Sequence, residues 1–273
     1  MEIQKVWAVY YSATGNTDKV VTTLAEELAA KLGLPLERVS FTRPAERERE
    51  YYFTERDLAV VGTPTYAGRM PNKIMPDFRE KLRGNGALAV PVVLFGNRAY
   101  ENSLAELCAL LEGNGFHTVA AGAFVGRHAF TDELAFGRPG WSDLFEVKAF
   151  AKRISDKVKT LSDIPAPVKV PGVPDAPYYI PKGTDGEPVS FLKAKPKTKL
   201  ARCNNCGACV RLCPMGAIDP RNVANVPGTC IKCQSCVRKC TKGAKYFDDP
   251  AFLSHVAMLE ANFQEPKENE VFL

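Results

Sequence analysis

Eight of the nine cysteines fall into two runs with one spacing, and that spacing restricts what the chain can fold around. The first run is Cys203-x2-Cys206-x2-Cys209-x3-Cys213-Pro214, and the second is Cys230-x2-Cys233-x2-Cys236-x3-Cys240. Thiolates at two-residue intervals can wrap one face of a small inorganic cube. The fourth cysteine of each run, set off by three residues, points away toward a second cube. Paired zinc ribbons also use two-residue intervals, but they rarely need a third cysteine two residues further on. Here that third cysteine occurs twice, so the spacing reads as two 4Fe–4S clusters.

The two runs are also an internal repeat. Cys206-Gly207-Ala208-Cys209 with Cys213-Pro214-Met215-Gly216-Ala217 is echoed by Cys233-Gln234-Ser235-Cys236 with Cys240-Thr241-Lys242-Gly243-Ala244. Small Gly and Ala residues let backbone N–H groups approach sulfur, which helps set a cluster's potential. Residues 199–249 resemble bacterial ferredoxins that carry two 4Fe–4S clusters. The resemblance implies a small α+β domain with crossed ligation. One cluster takes Cys203, Cys206, Cys209 and Cys240, and the other takes Cys230, Cys233, Cys236 and Cys213. Thr241 stands where that pattern usually has proline, a change that bears on the local turn and not on ligation.

At 273 residues the length suggests two domains, and the cysteine segment fills only the last quarter. No run approaches the roughly 18 apolar residues of a membrane span. The N-terminus opens as a strand, with no basic leader and no cleavage site. The expectation is a cytoplasmic protein, whose cysteines stay reduced and free to ligate metal. Lys and Arg outnumber Asp and Glu by 8 to 3 over residues 201–249, but are balanced 21 to 20 over residues 1–162. Oxidised clusters of about −2 each would cancel most of that local excess. The excess therefore argues for a solvated surface and not for a nucleic-acid face.

Residues 5–11 are apolar and aromatic, a buried first strand. Ser12-Ala13-Thr14-Gly15-Asn16-Thr17 follows, and then helical periodicity through Val20, Val21, Leu24, Leu28 and Leu32. A strand that runs through hydroxyl and glycine residues into a helix start makes an anion cradle, with free N–H groups and the helix dipole facing phosphate. The same residues also serve as ordinary helix caps. Further strands are expected at Leu36–Phe41, Leu58–Thr63, Leu88–Gly96 and His117–Phe124, with helices near 72–83, 102–113 and 142–161. Alternating strand and helix predicts a doubly wound α/β fold, whose ligands bind at the carboxyl ends of the strands. Two more loops sit at such ends, Thr63-Pro64-Thr65-Tyr66-Ala67-Gly68 and Gly96-Asn97-Arg98-Ala99-Tyr100.

The three loops, in this order, resemble the FMN-binding loops of the flavodoxin family over residues 3–162. The resemblance implies a five-stranded parallel sheet and a phosphate loop formed by Ser12, Thr14, Gly15, Asn16 and Thr17. The two ring loops would be Thr63, Pro64, Thr65, Tyr66, Ala67 and Gly68, and Gly96, Asn97, Arg98 and Tyr100. Tyr66 and Tyr100 are the candidates to stack on the flavin, with ordinary half-buried packing as their alternative. Simple flavodoxins are acidic around the ring, whereas this chain has Arg69 and Arg98. Such cations would stabilise reduced, anionic flavin if they face it, or else point to solvent. Arg127 and His128, after the last strand, are catalytic candidates. A surface histidine is the first reading of His128, and a proton donor the second. Cys108 lies at a helical core position and reads as a small hydrophobe.

The expected layout is a flavin domain (1–162), a proline-rich linker (163–198), a two-cluster domain (199–249), and a helix and tail (250–273). Tyr178-Tyr179-Ile180 and Val189-Ser190-Phe191-Leu192 are too apolar for a free tether, so the linker is expected to lie along the flavin domain. Phe252, Val256, Leu259 and Phe263 give the tail an amphipathic helix. The whole order resembles flavodoxin–ferredoxin fusion proteins. It implies FMN, two 4Fe–4S clusters, and a redox protein partner such as a ferredoxin or a reductase. No nucleic acid and no membrane is expected, and a homo-oligomer is left open. The leading function is electron transfer between clusters and FMN. The alternatives are an FMN-dependent reductase of a quinone or nitro compound, and a redox sensor.

Overall fold

The computed structural model describes residues 2–273. Five parallel strands build the N-terminal body: β1 (Lys5–Tyr10), β2 (Leu36–Ser40), β3 (Asp57–Pro64), β4 (Leu88–Phe95) and β5 (Ala121–Val125). They lie side by side in the order β2-β1-β3-β4-β5. That is the strand order of the flavodoxin fold, with its switch point between β1 and β3. Helices α1 (Asn16–Leu32), α2 (Met75–Lys81), α3 (Ser103–Gly113) and α4 (Trp141–Thr160) connect or cover the strands.

Period-two alternation divides the apolar residues into two cores. Val6 and Ala8 of β1, with Leu88, Val90 and Val92 of β4, face Val20, Leu24, Phe150 and Ile154 of α1 and α4. Trp7, Val9 and Tyr11, with Ala89, Val93 and Phe95, face Phe78, Leu104, Leu107 and Leu111 of α2 and α3. Strands buried on both faces read as continuous hydrophobic runs, which is why they are visible in the sequence. Helix α1 stops at Gly33, whose φ of 69° lets its N–H reach back to Ala29 and Ala30.

The sheet differs from the expected one at its edge. The strand expected over 117–124 is interrupted: His117–Thr118 pairs with Leu88–Ala89, and pairing with β4 resumes at Gly122. A sixth strand, β6 (Glu270–Phe272), joins antiparallel to Ala121–Ala123. An edge strand presents unpaired backbone groups, and the chain's own tail covers these.

Residues 163–196 form no helix and no extended strand, and they run along the body. The Tyr179 N–H donates to Ala67 O (2.9 Å), and the Tyr178 hydroxyl to Met70 O (2.9 Å). The cysteine segment is small and mostly irregular. It holds two single-turn helices, α5 (Ala208–Arg211) and α6 (Ser235–Arg238), and Lys197–Thr198 paired with Lys245–Tyr246. Helix α7 (Pro250–Asn262) is capped by Asp249, which accepts the Phe252 N–H at 2.9 Å. Its buried face is Phe252, His255, Met258 and Leu259, so histidine and methionine fill places where the apolar spacing alone pointed to valine.

Candidate functional site

The loop between β1 and α1 presents a set of unpartnered donors. Among the described residues, no protein acceptor meets the backbone N–H groups of Ala13 through Thr17, and neither the Thr14 nor the Thr17 hydroxyl has a partner. Gly15 has a φ of 108° with open space where a Cβ would stand, so the backbone conformation and not crowding calls for glycine. Ser12 behaves differently. Its hydroxyl accepts the Asp18 N–H at 3.0 Å and braces the turn from inside.

These free donors open onto a cavity of about 640 Å³. Thr14, Asn16, Thr17, Pro64, Thr65, Tyr66, Ala67, Gly68, Gly96 and Arg98 line it, as do both catalytic candidates, Arg127 and His128. Three further segments close around it. They are the linker through Tyr178, Tyr179 and Phe191, helix α7 through His255 and Leu259, and the cysteine segment through Cys230, Ile231, Lys232 and Cys233. Most of the wall is apolar with a few convergent polar groups, as in cofactor pockets generally. The size and the unpartnered donors fit a flavin mononucleotide.

Five of the sequence candidates do not line the cavity: Ser12, Gly15, Thr63, Asn97 and Tyr100. Tyr100 is buried against Phe95, and its hydroxyl donates to Glu270 of β6 at 2.7 Å. It fastens the tail strand where the resemblance implied a ring-stacking residue. Asn97, with φ 67°, clamps the same tail. Its amide donates to Phe263 O (2.6 Å) and Glu265 O (3.0 Å) and accepts the Lys267 N–H (3.1 Å). Tyr66 does line the cavity.

The two arginines are neither solvent-facing nor free cations. Arg69 pairs with the nearly buried Glu106 at 2.5 Å and lies over the Tyr178 ring, 5.1 Å from its centroid. Arg98 pairs with Glu101 at 2.6 Å and stacks over Tyr179 at 3.9 Å. Their charges are spent on carboxylates and on pinning the linker. His128 is not on the surface. Its ring packs edge-on against Phe130 (5.3 Å), and its Nδ1 accepts the Phe130 N–H at 3.2 Å. Burial first, then His255, Arg238 and Arg98, push its pKa down to about 4, so the imidazole is neutral with its proton on Nε2. Cys108 is buried in α3, and burial pushes its thiol up to about 12, as suits a packing residue.

Each cysteine quartet surrounds its own small void. Cys203, Cys206, Cys209 and Cys240 line one; Cys213, Cys230, Cys233 and Cys236 line the other. The grouping crosses the two runs. The sulfurs stand around spaces and do not close on a point: among the described residues, no three His, Cys, Asp or Glu side chains are set to hold a single ion. Four thiolates around a void fit a cube better than one zinc ion. The repeat extends to the backbone. Asn205 and Lys232 (φ 53° and 55°), Gly207 and Gln234 (70° and 62°), and Gly216 and Gly243 (57° and 56°) are left-handed in matching places. The Ala217 N–H donates to Cys213 Sγ and the Ala244 N–H to Cys240 Sγ, each at 3.3 Å. The turn at Thr241 is unaltered by the missing proline. Gly243 bonds to Cys240 O at 3.0 Å, as Gly216 bonds to Cys213 O at 3.1 Å.

Two arginines hold the cysteine segment against the body, and the motifs gave no sign of either. Arg238 of α6 donates to the carbonyls of Ala129 (3.0 Å), His128 (2.9 Å) and Thr131 (2.7 Å), and pairs with Asp132. Arg47, 8% exposed, donates to Pro214 O at 2.7 Å and pairs with Asp77 at 2.7 Å. Between them, Met215, Ile231 and Cys233 pack on the apolar core that holds Tyr11.

Residues 202–245 match the 4Fe-4S dicluster domain family. No curated protein matches the chain. Solved structures similar to it include a flavodoxin from the domain Archaea (17% identity, 57% of this chain and 99% of that one, TM-score 0.38). The flavodoxin of Streptococcus pneumoniae TIGR4 is another (20% identity, 56% and 99%, TM-score 0.40). A third is the rubredoxin oxygen:oxidoreductase of Desulfovibrio gigas (18% identity, 58% of this chain and 37% of that one, TM-score 0.40). With the strand order above, the chain joins a flavodoxin-like α/β fold to a 4Fe–4S dicluster domain, the arrangement of a flavodoxin–ferredoxin fusion.

Proposed function

We propose that the protein is an electron-transfer flavoprotein that passes single electrons between two 4Fe–4S clusters and one FMN. The observation that carries this reading is one shared cavity: Cys230 and Cys233 wall the same space as Thr14, Thr17, Tyr66 and Arg98. The Cys213/Cys230/Cys233/Cys236 quartet is then the inner site and the Cys203/Cys206/Cys209/Cys240 quartet the outer one. Flavin is the group that joins one-electron and two-electron chemistry, while the clusters pass single electrons. The chain's own residues do the rest. Thr14, Thr17 and the N–H groups of 13–17 hold the phosphate, Tyr66 and the paired Arg98 bound the ring space, and the linker and α7 exclude water. Arg127 and His128 on the cavity wall favour, as a second reading, a reductase of a small organic acceptor such as a quinone or nitro compound.

The phosphate assignment has a direct test. The purified holoprotein is expected to contain FMN, not FAD, at one per chain, since the loop serves a single phosphate and no second glycine motif follows. The double variant Thr14→Val with Thr17→Val should lose flavin and keep its iron. Flavin held as tightly as in the parent would reduce the loop to a helix cap.

A further inference from the structure

Around the outer quartet the surface is cationic and unpaired. Lys239 and Lys242 line the void itself. Arg211 Nη1 donates to Cys206 O at 2.9 Å, which places its guanidinium at the rim. An Arg202 nitrogen lies 3.9 Å from where a Cβ on Gly243 would stand. Lys199 lies 5.0 Å from the centroid of the Tyr246 ring. Among the described residues none of these five cations is in an ion pair. The sequence puts no Asp or Glu in 199–218 or in 228–247. Cys206 is exposed, and Leu200, whose carbonyl accepts the Cys203 N–H at 3.1 Å, is 69% exposed. By contrast, the arginines around the flavin cavity and the joint with the body, Arg47, Arg69, Arg98, Arg127, Arg138 and Arg238, all meet carboxylates.

An oxidised cluster of about −2 offsets part of five positive charges and leaves the rim basic. A rim of one sign around a small apolar spot, with the electron site at its centre, is the anatomy of a transient docking face. There charge guides the encounter and the contact area stays small. We propose that this face receives an acidic one-electron carrier protein, which docks over Cys206 and exchanges one electron with the outer cluster. One electron leaves the carrier and one arrives; no bond forms and no proton moves. The proposal rests on the electron-transfer reading above and adds the partner's chemistry and its point of entry.

The test uses the intact holoprotein in stopped flow, with a reduced acidic ferredoxin as donor and, as the contrasting probe, oxidised cytochrome c, which is basic and accepts an electron from the reduced holoprotein. With ferredoxin, the second-order rate constant should fall by tenfold or more between about 20 mM and 500 mM salt, because screening removes the steering. With cytochrome c it should stay low and rise with salt. Arg202→Glu with Lys242→Glu should slow the ferredoxin reaction at least tenfold at low salt, with iron per chain unchanged. Lys148→Glu, exposed on α4, should not slow it. The salt series needs no variant, so it stands even if the double variant loads clusters poorly. A rate indifferent to salt and to charge reversal would overturn the proposal. So would tighter binding of a short duplex DNA or RNA than of ferredoxin at physiological salt, which would make the face a nucleic-acid site. Photoreduction of the holoprotein reports the internal step without a partner, so failure of the docking face is distinguishable from failure of the electron-transfer reading.

Discussion

The two halves of the cysteine repeat share a spacing, a backbone and a hydrogen bond to the fourth sulfur, yet they live in different surroundings. In the first half, Asn204, Asn205 and Cys206 are exposed. In the second, Lys232, Gln234 and Ser235 are buried, and Cys233 packs on the core. The difference comes from side chains at equivalent positions. Arg211 bonds only to Cys206 O, whereas its counterpart Arg238 gathers three carbonyls and Asp132 from the loop after β5. Asn205 corresponds to Lys232, whose ammonium donates to Leu192 O at 2.5 Å. The ligand pattern thus determines what each half binds, and the residues between ligands determine which half meets the flavin cavity.

The largest expected effect tests whether the quartets cross the repeat. Cys213→Ala should leave about four of about eight irons per chain and remove the cluster held by Cys230, Cys233 and Cys236. Iron analysis with the spectrum of the surviving cluster checks it. Loss of the Cys203/Cys206/Cys209 cluster instead would reverse the assignment.

A smaller effect should separate the paired arginines. Arg238→Ala leaves three loop carbonyls without that donor, while Asp132 keeps Arg127, so it should lower the holoprotein's stability by about 2–4 kcal/mol. Arg211→Ala, at the exposed counterpart, should change it by less than about 1 kcal/mol. Urea midpoints under anaerobic conditions measure both. Equal effects would mean that α6 holds nothing that α5 does not.

The smallest effect is one of pH, on the inner side alone. His128 has a folded pKa of about 4 against an ordinary value of about 6.5, with His255, Arg238 and Arg98 as its charged neighbours. Between these values the unfolded chain binds the extra proton. The contribution is therefore fully present above about pH 6.5 and is lost as the pH falls toward 4. Melting temperatures of the parent should drop over that window, and His128→Gln should flatten the drop. A profile unchanged by the substitution would place His128 in contact with water.

Much of this was legible in the sequence because it rests on local rules. The strands buried on both faces, the hydroxyl and glycine loop at the start of α1, and the eight cysteines all follow from spacing and residue type. What was not legible depends on contacts between distant segments. Tyr100 sits in the loop where a ring-stacking residue is expected, and only the return of the tail with Glu270 shows what occupies its hydroxyl. The charge of Arg69 could not be seen as neutralised without Glu106 of α3, nor the ring of Tyr179 seen over Arg98 without the path of the linker. His128 reads as a surface residue until α7 and the linker close over it. Arg238 is invisible as a clamp because Arg211 holds the same place in its run, two residues after the third cysteine.

If the inner cluster and the flavin share one cavity within one chain, electrons pass between them without leaving the molecule. This is tested most directly by photoreducing the clusters of the intact holoprotein and following the bleaching of flavin absorbance over a range of protein concentrations. One first-order phase is expected, with a rate constant that is the same at every concentration and smaller in Arg238→Ala. A rate that rises in proportion to protein concentration would mean that electrons cross between molecules, and would contradict it.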